Sequence, residues 1–212
     1  PQALALLEVV GIRVAGWRVA ADEGEVQGAA AALGFPVVLK LSAPSLVHKT
    51  EAGGVILNLA DSEAVGKAYA GLAEIARRHV PQGESWQVVV MSQVPGGEEV
   101  LLGGRRDQAF GPVVAFGAGG VWTEILEDVA LKIAPISVRE AQRQILETKM
   151  GQILQGARGR PPADLPALSR ALSALSHLMD RFPAIQEVDL NPVRVFPGET
   201  GLLALDVRVR VQ

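Results

Sequence analysis

Two rhythms of apolar and polar residues divide this chain, one with the period of a helix and one with that of a strand. "QALALLEVV" at residues 2–10 predicts a helix that Gly11 stops, and "WRVA" reads as a short strand. "DEGEVQGAAAALG" predicts an Ala-rich helix with Asp22 at its N-cap and Gly34 just past its end. "PVVLKL" and "GVILNL" are predicted strands, and "DSEAVGKAYAGLAEIARRHV" is an amphipathic helix whose basic last turn suits the helix dipole. "WQVVVM" reads as a buried strand, "VPGG" as a turn, and "EEVLLGGRR" and "GPVVAF" as two more strands. Helices are expected around 137–147 and 164–181, the second with Leu165, Leu168, Leu172, Leu175, Leu178 and Met179 along one face. "AIQEVDLNPVRVF" and "GLLALDVRVRV" form a closing hairpin around "PGET". Helices and strands mix without strict alternation, so the expected class is α+β, with two lobes over 1–94 and 95–212.

Composition narrows the function. The 212 residues are 49% hydrophobic and 20% charged, ample for a core. A net charge of −3, with no cluster of Lys/Arg interleaved with aromatics, argues against a nucleic-acid partner. Cysteine is absent, which excludes disulfides, thiol catalysis and thiolate metal sites. No uninterrupted apolar stretch is long enough to span a bilayer and no signal-peptide pattern opens the chain, so no membrane partner and a cytoplasmic location are expected. The first residue is Pro1 rather than methionine, which suggests a fragment or processed piece.

The last hairpin carries the most chemistry. A loop from Pro197 to Thr200 pairs Val195 with Leu202, and the same register sets Asn191 opposite Asp206, Asp189 opposite Arg208, and Glu187 opposite Arg210. The two acid–arginine pairs read as a solvated ladder. Asn191 and Asp206 offer oxygens without a cation, and opposed residues have Cβ atoms about 5 Å apart. They suit either a hard cation such as Mg²⁺ or a simple cross-strand hydrogen bond. Lys40 interrupts an apolar strand, so its amine either reaches water at an edge or meets an anionic ligand, to which Lys49 would add.

Glycine doublets recur at Gly53–Gly54, Gly96–Gly97, Gly103–Gly104 and Gly119–Gly120. They suit phosphate-wrapping backbone or plain turns, and Gly103–Gly104 is expected to be a turn. Neither a Walker A sequence nor G-x-G-x-x-G is present. His79 and His177 sit in predicted helices as structural residues. Glu124 and Asp128, four apart, face either a partner or solvent.

"GFPVVLK", "HKTEAGGV", "RDQAFGPVVAFGAGGVWTEILEDVA", "EVDLNPV" and "ALDVRV" together resemble the ATP-grasp module of ADP-forming acyl-CoA synthetases, and more distantly the β subunit of succinyl-CoA synthetase. The resemblance implies an ATP-grasp fold with nucleotide held between two lobes, and ATP/ADP and Mg²⁺ as cofactors. It places Lys40 on the α/β-phosphates, the backbone of Ser92, Gln93 and Val94 against adenine, Glu99 near the ribose, and Gly53 and Gly54 in a flap over the phosphates. Asn191 and Asp206 match the metal ligands. His48 matches a histidine that carries a phosphoryl group between ADP and a phosphohistidine on a CoA-binding module, which is either fused or a separate subunit. Lys49 would be a charge clamp beside it. Two other functions stand beside this one: a non-catalytic nucleotide-sensing module fused to a protein acetyltransferase, and a carboxylate–amine ligase, which would need no loop histidine.

Overall fold

The computed structural model describes residues 1–46, 49–120, 128–156 and 159–212. The chain forms two compact units, one of Ala15–Pro95 together with Pro1, the other of Gln2–Val14 and Gly96–Gln212.

In the first unit, β1 (Trp17–Ala20), β2 (Val37–Ser42), β3 (Val55–Leu59) and β4 (Gln87–Ser92) make an antiparallel sheet of order β1-β4-β2-β3. Two helices cover one face, α2 (Glu23–Leu33) and α3 (Ser62–His79). Each starts where an aspartate accepts a backbone N–H, Asp22 from Glu25 and Asp61 from Ala64, which satisfies donors that the first turn leaves unpaired. Val26, Ala30, Val65 and Leu72 of the helices bury against Val37, Leu39, Leu41, Val88 and Val90 of the sheet. The alternation of a strand then puts Val38 and Lys40 of β2 on the opposite face, level with Met91 and Val89.

The second unit takes α1 (Gln2–Val9), although it opens the chain. Leu4, Leu7 and Ile12 are buried, Ala204 donates its N–H to Arg13 O, and the Arg13 guanidinium donates to Thr200 O. The expected N-terminal lobe began at residue 1. In the structure the first unit runs from Ala15 to Pro95, and the segment Gln2–Val14 belongs to the other unit, where Arg13 meets Thr200 and Ala204.

The larger sheet has the order β10-β8-β5-β6-β7, with β9 also on β8. Its strands are β5 (Glu98–Asp107), β6 (Gly111–Ala118), β7 (Val129–Ile133), β8 (Ile185–Val195), β9 (Leu202–Ala204) and β10 (Arg208–Val211). Its helices are α4 (Val138–Leu146), α5 (Lys149–Leu154) and α6 (Leu165–Arg181). The predicted stripe of α6 is its core face: Leu168, Leu172, Leu175, Leu178 and Met179 are buried. β7 and α5 were not expected.

Gly103–Gly104 is not a turn. Both glycines lie inside β5, opposite Ala115 and Val114 of β6. A Cβ on Gly104 would stand 2.7 Å from Met179 Cγ, so the glycine lets α6 lie close on the sheet. The other face of the sheet carries Gly103, Arg105, Glu187 and Asp189. Among the described residues, no helix is long and apolar enough to cross a membrane.

Candidate functional site

In the first unit, Lys40 is 8% exposed and sits in the middle of β2 between Val89 of β4 and Val55 of β3. It is on the sheet face away from the helices, so it is not an edge residue with its amine in water. Leaving β2, the chain reaches the His-Lys-Thr loop. His48 lies outside the described residues. Lys49 is half-buried, and from it the backbone closes one tight turn. Gly54 donates its N–H to Lys49 O at 2.6 Å and Gly53 to Thr50 O at 3.0 Å. This paired closure, with Gly53 at φ +74°, is the pattern in which a helical turn ends on glycine. Gly54 O then accepts the Leu41 N–H, tying the turn to β2. The doublet thus has a conformational reason at Gly53 and a steric one at Gly54, whose Cβ would meet Lys49 O at 3.0 Å.

At the end of β4, Ser92 donates its N–H to Gly16 O and Gln93 to Pro36 O, at 2.8 and 3.0 Å. The Gln93 side chain accepts the Asn58 N–H and donates to the Asn58 carboxamide. Asn58 has φ +61°, a conformation asparagine tolerates better than most residues. The strand end that would face adenine is therefore fixed to its neighbours at two backbone positions and one side chain. Sequence reading missed this lock, since nothing in "VILNL" and "MSQV" marks Asn58 and Gln93 as partners.

In the second unit, the hairpin register holds on both sides of the candidate metal pair. Val195 pairs with Leu202 and Val193 with Ala204, while Asp189 pairs with Arg208 and Glu187 with Arg210. Equal stretches of chain separate the two ladders, so Asn191 stands opposite Asp206. Against β5 the register shifts between Val100 and Leu102, across from Asn191–Pro192, and a bulge of this kind re-aims a side chain.

Gly120 donates its N–H to Asn191 Oδ1 at 2.8 Å. An N–H meets only an acceptor, so the amide oxygen of Asn191, not its NH₂, faces Gly120. Asp206 Oδ1 accepts the Val207 N–H at 3.0 Å. Burial pushes the Asp189 carboxyl above its usual range, the Glu187 and Asp206 carboxylates add to the rise, and Arg208 opposes it. Two hard oxygen donors in a place already crowded with negative charge fit a divalent cation such as Mg²⁺.

Glu99 pairs with Arg194 at 2.8 Å across β5 and β8. Asp128 accepts the Met150 N–H at the start of α5. Glu124 lies outside the described residues.

The pattern of the ATP-grasp domain matches residues 1–211. The chain belongs to the ATP-grasp family. Within that family it is 37% identical over 209 residues to the β subunit of acetate–CoA ligase (ADP-forming) I of Pyrococcus furiosus, covering 99% of this chain and 89% of the relative. It is 40% identical to acetate–CoA ligase (ADP-forming) I of Archaeoglobus fulgidus, over 98% of this chain and 30% of that longer protein. Acetyl-coenzyme A synthetase 1 of Ca. Korarchaeum cryptofilum, solved with coenzyme A, Ca-AMPCP and HgCl⁺, superposes with a TM-score of 0.92 at 38% identity, covering 99% of this chain and 91% of that one. The same enzyme with coenzyme A and Mg-AMPPCP, its phosphohistidine segment pointing towards the nucleotide binding site, gives 0.84 at 35% identity, covering 100% and 91%. This ATP-grasp chain thus matches nearly a whole β subunit in one relative and under a third of another, and it groups with ADP-forming acyl-CoA ligases.

Proposed function

We propose that this chain is the nucleotide-binding phosphotransfer module of an ADP-forming acyl-CoA ligase, and that it relays a phosphoryl group between a phosphohistidine on a CoA-binding module and ADP. The observation that carries the reading is the register shared by the ladders on either side, which opposes Asn191 and Asp206, with the Asn191 amide oxygen set by Gly120. The β-subunit relative, matched over 89% of its length, points the same way.

Lys40, a buried cation on the sheet face away from the helices, holds the phosphate chain as a point charge. The segment Ser92–Val94 receives adenine, with carbonyl oxygens as acceptors, because the Ser92 and Gln93 N–H groups already donate within the unit. Asn191 and Asp206 would hold Mg²⁺ through their side-chain oxygens, and the ion would supply positive charge beside the phosphates.

His48 takes the phosphoryl group. A neutral imidazole nitrogen attacks phosphorus, a new P–N bond forms, and the donor histidine leaves with the electron pair of the broken one. A terminal oxygen of ADP then attacks, a P–O bond forms and His48 is released. Lys49 offsets charge on the group in transit. Gly53 and Gly54 shape the loop that presents it.

The test is radiolabelling in the reverse direction. Chain incubated with Mg²⁺ and ATP labelled at the γ-phosphate should form an acid-labile, base-stable adduct in the peptide carrying His48. His48→Ala should abolish the label and keep ATP binding. An unlabelled peptide, with normal turnover by His48→Ala in the complete ligase, would overturn the relay.

A further inference from the structure

Four residues around the candidate metal pair form a closed ring of contacts. Arg194 donates through Nη2 to Glu99 Oε1 at 2.8 Å and through Nη1 to Gly96 O at 2.9 Å, so one guanidinium clamps the beginning of β5. Glu99 then holds the Gly119–Gly120 turn in two ways. Its backbone oxygen accepts the Gly119 N–H at 3.0 Å. Its carboxylate lies against Gly120, where an added Cβ would come within 2.3 Å of Oε2. Gly120, at φ +61°, hands the contact on by donating its N–H to Asn191 Oδ1. Asn191 and Arg194 lie three residues apart in β8, which closes the ring.

Both glycines are required sterically. A Cβ on Gly119 would fall 2.5 to 2.8 Å from backbone atoms of Val100, so the turn crosses β5 at contact distance. A Cβ on Gly120 would strike Glu99 and would also sit in a conformation that side chains avoid.

We infer that Glu99, clamped by Arg194, is a positioning residue that acts through the Gly120 N–H to set the orientation of the Asn191 carboxamide for a divalent cation. This rests on the reading of Asn191 and Asp206 as metal ligands. A side-chain amide has two faces of similar size, and only its oxygen suits a cation. Asn191 is a half-buried residue beside a bulge, so nothing in strand geometry alone selects that face. The Gly120 N–H does. The role differs from the ribose contact that family resemblance implies for Glu99, since Oε1 is engaged by Arg194 and Oε2 abuts Gly120.

The test uses the whole 212-residue chain. Mn²⁺ affinity is read from the electron paramagnetic resonance signal of free Mn²⁺, with and without AMPPCP. AMPPCP affinity in EDTA and the thermal midpoint are measured in parallel. Glu99→Ala and Arg194→Met should each weaken Mn²⁺ binding about tenfold, the usual scale for residues that orient a ligand. Glu99→Gln, which keeps the shape and an acceptor for Arg194, should restore most of it. Metal-free AMPPCP affinity and the midpoint should stay near those of the parent. Gly120→Ala should weaken Mn²⁺ binding in the parent and cost less in the Glu99→Ala background, where the colliding carboxylate is gone. If Asp206→Ala weakens Mn²⁺ binding but the Glu99, Arg194 and Gly120 variants do not, the positioning role is overturned and the metal reading stands. If the midpoint and metal-free AMPPCP affinity fall together with Mn²⁺ affinity, the ring is only architectural and the inference fails. If Asp206→Ala leaves Mn²⁺ binding unchanged, the metal reading falls and takes this inference with it.

Discussion

Asn191 lies opposite Asp206 because the ladders before and after them keep one register, although neither residue belongs to a regular strand pair itself. The backbone ladders on either side set this opposition. Asp206→Ala should leave the fold intact and remove the tightening that Mg²⁺ gives to AMPPCP binding, an effect of at least about tenfold. Calorimetry with Mg²⁺ and with EDTA measures it. Equal Mg²⁺ dependence in variant and parent would return the pair to a plain hydrogen bond.

Lys40 is a buried cation in an inner strand of a four-stranded sheet. Lys40→Met keeps the length and deletes the charge. ATP affinity should fall about tenfold or more, in line with a charged hydrogen bond of roughly 1.5–3 kcal/mol, while adenosine affinity holds. An unchanged ratio of ATP to adenosine affinity would separate the lysine from the phosphates.

The glycine inside β5 offers a test of packing alone. Gly104→Ala places a methyl group against Met179 Cγ and should destabilise the second unit by about 1–3 kcal/mol in urea unfolding. Met179→Ala in the same chain should recover part of the loss, because it empties the space the new methyl group needs. A full-sized loss in the double variant would mean that strain in the strand, not the methionine, is responsible.

Helix α4 opens on a capping box in which Ser137 and Glu140 bond each other's backbone. Those bonds hold the Glu140 carboxyl below its usual value of 4.5. A lowered carboxyl contributes stability that is present above the unfolded value and is lost as pH falls through the folded one. Glu140→Gln should therefore lower the thermal midpoint at pH 7, and its gap to the parent should close as the pH drops below about 4.5. A gap independent of pH would assign the effect to shape instead of charge.

How far these features could be read beforehand depended on whether they were local. The opposition of Asn191 and Asp206 followed from counting back from a four-residue loop, because a hairpin carries its register with it. Asp22 and the stripe of α6 were equally readable, since a cap and its helix are neighbours in sequence. Gly103–Gly104 was misread as a turn because its explanation, Met179, lies more than seventy residues away. The bulge beside Asn191, the Asn58–Gln93 lock and the Arg194–Glu99 clamp are also contacts between distant segments, and no local pattern announces them. The short β7 and α5 lacked enough residues to show a period at all.

The allegiance of α1 has a bearing on how the molecule is made. The second unit contains both the first helix and the last strands, and the first unit is spliced into it as a single uninterrupted loop of chain. On a ribosome, Ala15–Pro95 emerges whole and has every strand of its sheet in hand while synthesis is still under way. The segment Gln2–Val14 has partners at the other end of its unit: Arg13 meets Thr200 and Ala204, so these contacts form only once the C-terminal hairpin has been made.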